Sequence, residues 1–187
     1  NVKQDDLIVD CLSRVGTIRV SEVPSCLVRV YLPPSEYWEN RSGPHFGFRS
    51  SMSTTRQKPV RGLFLSRNET TTEPYWPGMW IHFRSETDRQ VESDSAFIKV
   101  RGDKSGRDFK VLEIEESGWW TLGMSFTPDG MVHYFASPGV DPLTSADHIT
   151  SQYPYSFRAE KFRTFFFNIC NRNDGRSWST PFVIDDP

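Results

Sequence analysis

The chain has 187 residues, 14% of them aromatic, with 13 Pro and 12 Gly and a formal net charge of −2 at pH 7. So even a charge balance gives no global field to recruit nucleic acid or an anionic membrane surface, and no apolar run approaches the roughly 18 residues of a membrane-spanning helix. The length suits one sizeable core, so a single domain is expected over residues 1–187. Abundant aromatics, Pro and Gly suit strands and turns better than helices.

Two short apolar runs open the chain, Leu7-Ile8-Val9 and residues 15–20. Residues 27–32 alternate cleanly and stop at Pro33-Pro34, where the missing amide donors end a strand. Residues 35–44 read as a loop. In the next run, Phe46 and Phe48 share one face and His45 and Arg49 the other. Residues 50–60 look polar and turn-rich, Arg61-Gly62-Leu63-Phe64-Leu65 looks like a short strand, and Glu73-Pro74-Tyr75-Trp76-Pro77-Gly78 looks like a rigid aromatic loop.

In Met79-Trp80-Ile81-His82-Phe83-Arg84, the residues Met79, Ile81 and Phe83 form an apolar face opposite Trp80, His82 and Arg84. Residues 85–95 form a polar loop. Phe97, Lys99 and Arg101 then share a face, residues 102–106 turn, and residues 109–116 form a further strand. Pro128-Asp129-Gly130 has the chemistry of a type I turn closed by a left-handed Gly. That loop pairs Thr127 with Met131 and sets the register by counting. Phe126 faces Val132, Met124 faces Tyr134 and Leu122 faces Ala136 on a core side, while Ser125 faces His133 and Gly123 faces Phe135 on the other. Residues 138–161 form the longest irregular connection, with room for one helical turn within 141–149. Phe165-Phe166-Phe167 is apolar on both faces, as in a central strand covered on both sides. Residues 171–175 turn and residues 181–186 close the chain. Ten or more short strands without helical periodicity indicate a β-sandwich or barrel.

Three Cys make an odd count. Cys11 and Cys26 bridged with Cys170 free, or three buried thiols, are equally compatible with the spacing. Asn40-Arg41-Ser42 and Asn68-Glu69-Thr70 match the short glycosylation acceptor pattern.

The stretch Gly118-Trp119-Trp120-Thr121-Leu122-Gly123-Met124-Ser125-Phe126-Thr127-Pro128-Asp129-Gly130-Met131-Val132-His133-Tyr134-Phe135 resembles the late hairpin of concanavalin A-like lectin/glucanase domains, laminin-G-like modules included. The ending Phe182-Val183-Ile184-Asp185-Asp186 is similar to their closing strand. This resemblance implies an all-β jelly-roll sandwich of two antiparallel sheets, with ligands on the concave face or rim loops. It implies no single function, because the fold hosts lectins, glycosidases, lyases and adhesion modules.

Glu113 and Glu115 match in kind the first two carboxylates of a retaining glucanase strand, but Ser117 or Gly118 stands where the acid belongs. A solvated strand face accounts for them. The stronger candidate is the polar side of several strands: Trp80, His82 and Arg84, with His45, Arg49, Lys99, Arg101, Trp119 and His133. Placed in one sheet, these residues make a cationic, aromatic face suited to an acidic polysaccharide. Asn173, Asp174, Asp185 and Asp186 are oxygen donors near turns, but their spacing does not make a Ca²⁺ loop. No zinc spacing and no phosphate-binding Gly loop is present, so no metal and no cofactor is expected. The expectation is a non-catalytic, secreted, cell-surface or periplasmic module that binds carbohydrate. The alternatives are a polysaccharide-degrading enzyme, lyase before hydrolase, and a structural accessory domain.

Overall fold

The computed structural model describes residues 2–61, 66–102 and 104–187. Thirteen strands appear among them: β1 (Val2–Val9), β2 (Ile18–Arg19), β3 (Ser25–Leu32), β4 (Gly43–Arg61), β5 (Ser66–Tyr75), β6 (Gly78–Arg84), β7 (Ser95–Arg101), β8 (Asp108–Ile114), β9 (Gly118–Phe126), β10 (Val132–Pro138), β11 (His148–Gln152), β12 (Lys161–Arg172) and β13 (Val183–Asp185). Among the described residues helix is confined to α1 (Leu12–Val15) and four single 3-10 turns. The larger sheet runs β1-β12-β4-β6-β7-β8, with β2 on β12 and β5 on β4; the smaller runs β11-β10-β9-β3-β13. Every pairing is antiparallel. The chain is all-β, two antiparallel sheets consistent with a jelly-roll sandwich.

Alternation explains which side chains meet between the sheets. Phe46 and Phe48 from β4, Met79, Ile81 and Phe83 from β6, and Phe165 and Phe167 from β12 pack in one cluster with Val28, Val30, Leu122, Met124, Phe126, Val132 and Tyr134 from the smaller sheet. The β9–β10 hairpin has the register that its turn dictates: Phe126 pairs with Val132, Met124 with Tyr134 and Leu122 with Ala136. Thr127 accepts from Gly130 N–H at 2.8 Å, and Gly130 sits at φ +82°. Its missing Cβ matters doubly, because a methyl there would come within 2.8 Å of the Ala159 backbone nitrogen.

Three expectations change. Residues 50–60 do not turn: β4 continues through them and pairs with β5 from Met52–Tyr75 to Arg61–Ser66. Residues 55–59 and most of 68–74 in that ribbon are exposed, so its Thr residues adopt strand geometry without an apolar alternation to announce it. The aromatic loop at 73–78 shrinks to Trp76-Pro77 between β5 and β6. Residues 138–161 are not all irregular, because they contain β11, an edge strand; the expected helical turn lies at Ser145–Asp147, capped by Thr144. Of the two cysteine readings the unbridged one holds: Cys11, Cys26 and Cys170 are all free thiols, with Cys26 and Cys170 buried and Cys11 half-buried. Residues 62–65 of the expected short strand lie outside the described residues. β12 is central, as its triple Phe requires: Phe165 and Phe167 face the core, and Phe166 on the opposite side is also buried.

Candidate functional site

The outer face of the larger sheet is organised by a row of paired residues. Asp6, Asn168, Gly47, Trp80, Lys99 and Lys110 are successive partners across β1, β12, β4, β6, β7 and β8. Gly47 makes room for the indole beside it: a Cβ there would lie 2.8 Å from Trp80 Cδ1 and Nε1 and 3.0 Å from Asn168 Oδ1. Two guanidiniums cover the indole. Arg49 Cζ is 5.3 Å and Arg101 Cζ 4.7 Å from the ring centre. Under this cover Trp80 is only 5% exposed. It therefore does not act as the open stacking platform expected from alternation alone.

A second aromatic, Phe97, collects the other cations. Arg84, Lys99 and Lys110 lie 4.6, 5.7 and 5.5 Å from its ring centre, and the His82 imidazole stacks at 5.5 Å. Such contacts contribute about 0.5–1 kcal/mol each at exposed sites, and more when desolvated. They hold charged side chains flat on the sheet and reduce the rotamer freedom a ligand must remove.

Some of these cations are neutralised. Arg101 makes a two-pronged pair with Asp108, at 2.8 and 3.2 Å, and donates to the Tyr155 hydroxyl at 2.8 Å. Tyr155 reaches Arg101 from a backbone at φ +61°, the left-handed region that a bulky residue seldom enters. Glu113 takes both Arg84, at 3.4 Å, and Lys110. Burial raises the Glu113 pKa, but the hydrogen bond from Lys110 and the charge of Arg84 outweigh it and hold the carboxyl below its usual range. Glu113 is thus an ion-pair partner, and Glu115 is exposed beyond the end of β8.

Arg49 differs. Its Nη2 donates to the Trp76 carbonyl at 3.3 Å, its Nη1 reaches Asn168 Oδ1 only at 3.5 Å, and its Nε is buried without a hydrogen-bond partner. Among the described residues neither Arg49 nor Lys99 has a carboxylate within ion-pair distance. Burial and the neighbouring Arg101 charge both press on the Arg49 guanidinium and lower its pKa from the ordinary value. His82 is half-buried, and burial, with the charges of Lys99 and Arg41, lowers its pKa to about 4. It is therefore a neutral imidazole at neutral pH.

Arg49, Trp80, His82, Arg84, Lys99 and Arg101 come together on this face. Three expected members do not. A register shift between Pro44 and Phe46 turns His45 inward, where it is fully buried and stacks on Phe83 with ring centres 4.1 Å apart. Trp119, on β9, packs edge-on against Tyr31, and His133, on β10, bonds to Ser151; both belong to the smaller sheet. Alternation within a strand says nothing about which sheet that strand joins. The sequence reading missed Asn168 and Tyr155. Asn168 was the more legible of the two: a lone amide within an apolar run is a buried polar group that needs a partner, and it donates to Asp6 at 2.7 Å.

Clefts of 390, 510 and 730 Å³ open elsewhere, the first on the smaller sheet between Leu27, Phe135 and Leu143, the others beside Glu113 and Glu115. Among the described residues no helix is long and apolar enough to cross a membrane.

No protein-family model matches the chain, and no curated protein sequence matches it. Two solved structures resemble it. One is an alginate lyase from Pseudomonas aeruginosa, at 8% identity and a TM-score of 0.36, over 90% of this chain and 67% of that one. The other is an alginate lyase from Alteromonas, at 10% identity and a TM-score of 0.25, over 82% of this chain and 56% of that one.

Proposed function

We propose that the chain is a carbohydrate-binding β-sandwich module of the extracellular type, and that the outer face of its larger sheet takes an acidic polysaccharide. The observation that carries this reading is Arg49: a desolvated guanidinium with an orphan Nε, beside a second guanidinium, and with no carboxylate of its own. A buried donor left unpaired destabilises the fold by about 1–3 kcal/mol, more for a charged group. An incoming carboxylate or sulfate relieves that deficit and offsets the repulsion from Arg101. Lys99 supplies a second anion contact, and neutral His82 a hydrogen bond to a hydroxyl. Trp80 acts beneath them as the floor on which both guanidiniums rest.

The test is binding of a polyuronate, a sulfated glycan and a neutral glucan to wild type, Arg49→Ala and Lys99→Ala. Binding should favour the acidic polymers, weaken with added salt, and fall about tenfold or more without Arg49, since a charged hydrogen bond is worth about 1.5–3 kcal/mol. Equal binding of acidic and neutral polymers, or unchanged binding in both variants, would remove the ligand from this face.

A lyase is the second reading, and His82 is the observation that favours it. A neutral imidazole beside a bound uronate is able to accept a proton. Shortening of the polymer by wild type, lost in His82→Ala with binding retained, would replace the binding-module reading with this one.

A further inference from the structure

The outer face of the smaller sheet carries a hydrogen-bonded chain that the reading above does not use. Thr127 Oγ1 donates to Asp129 Oδ1 at 2.6 Å. Its one proton is thereby committed, so its 3.0 Å contact with His133 Nε2 has the imidazole as donor. Neutral His133 then carries its proton on Nε2 and offers a lone pair at Nδ1. Ser151 Oγ lies 2.8 Å from that Nδ1 and 2.7 Å from His148 Nε2. Two imidazole nitrogens thus converge on one hydroxyl, with ring centres 5.8 Å apart.

Strand geometry makes this convergence specific. Ser151 pairs directly with His133, while His148 and Ser151 are three residues apart and strict alternation would put them on opposite faces. The register shifts between Tyr134 and Phe135, where Tyr134 pairs with Thr150 and Phe135 with His148. Ile149 is the extra residue, and this bulge brings His148 round to the face of His133. Only four His occur in the chain. His45 is fully buried and His82 lies on the other sheet, so these are the two imidazoles open to this surface.

We propose that His133 Nδ1 and His148 Nε2 form a binding site for an imidazole-preferring divalent transition metal, Zn²⁺ or Cu²⁺. The ion takes the central place now held by the Ser151 hydroxyl, at about 2.0–2.1 Å from each nitrogen. His148 moves its remaining proton to Nδ1 on binding, so neither ring has to lose one. Asp129, acting through Thr127, orients His133, the outer support that metal-bound imidazoles usually have. Asp129 is itself held by the Tyr153 hydroxyl at 2.8 Å and the Met131 amide at 3.2 Å. Among the described residues no group of three His, Cys, Asp or Glu side chains converges on a metal-sized point. Solvent therefore completes the coordination, and the ion keeps open positions.

The experiment is calorimetric titration of the full chain with Zn²⁺ alone, and electron paramagnetic resonance with Cu²⁺ alone, at neutral pH. Wild type should bind one ion with a signal from two nitrogens. His148→Ala, at an exposed position, should lose about tenfold or more in affinity and one nitrogen from the signal. Thr127→Val should weaken binding about 10–100-fold with both nitrogens kept, as for loss of an outer-shell partner. Ser151→Ala should bind at least as well as wild type, because it removes only the competing hydroxyl. Binding that is equal in wild type and in a His133→Ala, His148→Ala double variant of native melting temperature would overturn the proposal, as would a single-nitrogen signal in wild type.

Discussion

The Arg49 guanidinium lies over the Trp80 indole, 5.3 Å from the ring centre, although the two residues come from different strands and neither is its partner's direct cross-strand neighbour. The contact exists because Gly47, which does pair with Trp80, has no side chain to stand between them. Trp80 is thereby both a structural residue and the support of the ligand face, and its replacement should be felt in two measurements.

Trp80→Ala should lower unfolding free energy by about 3–5 kcal/mol, the range for truncating a buried Trp. Arg49 and Arg101 would lose their common platform, so affinity for an acidic glycan should fall in the same variant. Chemical denaturation checks the first and a binding isotherm the second. A loss below about 1 kcal/mol would mean that the indole is not packed as described.

Gly47→Ala should be destabilising although it adds only one methyl. The new carbon would press on Trp80 at 2.8 Å and on Asn168 Oδ1 at 3.0 Å, and both neighbours are themselves buried. Overpacking of this kind costs about 1–3 kcal/mol. The affinity for acidic glycan should drop with it, because the same contact sets the indole on which Arg49 and Arg101 rest.

Much of this arrangement was legible before any coordinates. The β9–β10 register followed from one turn, because Pro128-Asp129-Gly130 admits a single common loop and the side-chain period of two does the rest. The face carrying Trp80, His82 and Arg84 was likewise set by Met79, Ile81 and Phe83 opposite. What the sequence withheld was the sheet to which each strand belongs and the places where the period slips. The shift between Pro44 and Phe46 buried His45, and the one at Ile149 turned His148 toward His133. Bulges insert single residues with no composition of their own, so local patterning passes over them. The long β4–β5 ribbon was missed for another reason: residues 55–59 and most of 68–74 are exposed, and they carry no apolar alternation.

Phe167→Ala should cost about 3–5 kcal/mol. Phe167 is 1% exposed, and its ring stacks at 5.8 Å on both Phe46 and Phe48, so its loss opens a cavity that neighbours on a central strand cannot collapse to fill. Phe165→Ala, at 7% exposure, should fall toward the lower end of that range. Urea unfolding of both variants is the measurement, and a change below about 1 kcal/mol at both positions would contradict the burial of this face.

His45 makes stability depend on pH with a definite sign. Its Nε2 donates to the Arg41 carbonyl at 2.8 Å, so the neutral ring has its lone pair at Nδ1, where the Thr180 hydroxyl donates at 3.1 Å. Thr180 in turn accepts from the Glu39 amide at 3.0 Å. A proton on Nδ1 would break this relay and set a second cation beside Arg41, which is already paired with Glu39 at 3.0 Å. Burial, then the Arg41 charge, lowers the His45 pKa to about 3, whereas an unfolded His titrates near 6.5. Between those values the unfolded chain binds a proton that the folded chain refuses, so unfolding becomes easier as pH falls. The stabilisation is complete above about pH 6.5 and is lost progressively toward pH 3. His82, lowered to about 4, acts in the same direction. Most carboxylates titrate below about pH 5, so the interval from about pH 7 to 5 isolates the histidines. Over it, wild type should lose stability more steeply than His45→Gln, whose amide donates to Arg41 without titrating. Urea midpoints at three pH values in that interval give the comparison. Parallel slopes for the two proteins would mean that His45 takes up its proton in the folded state.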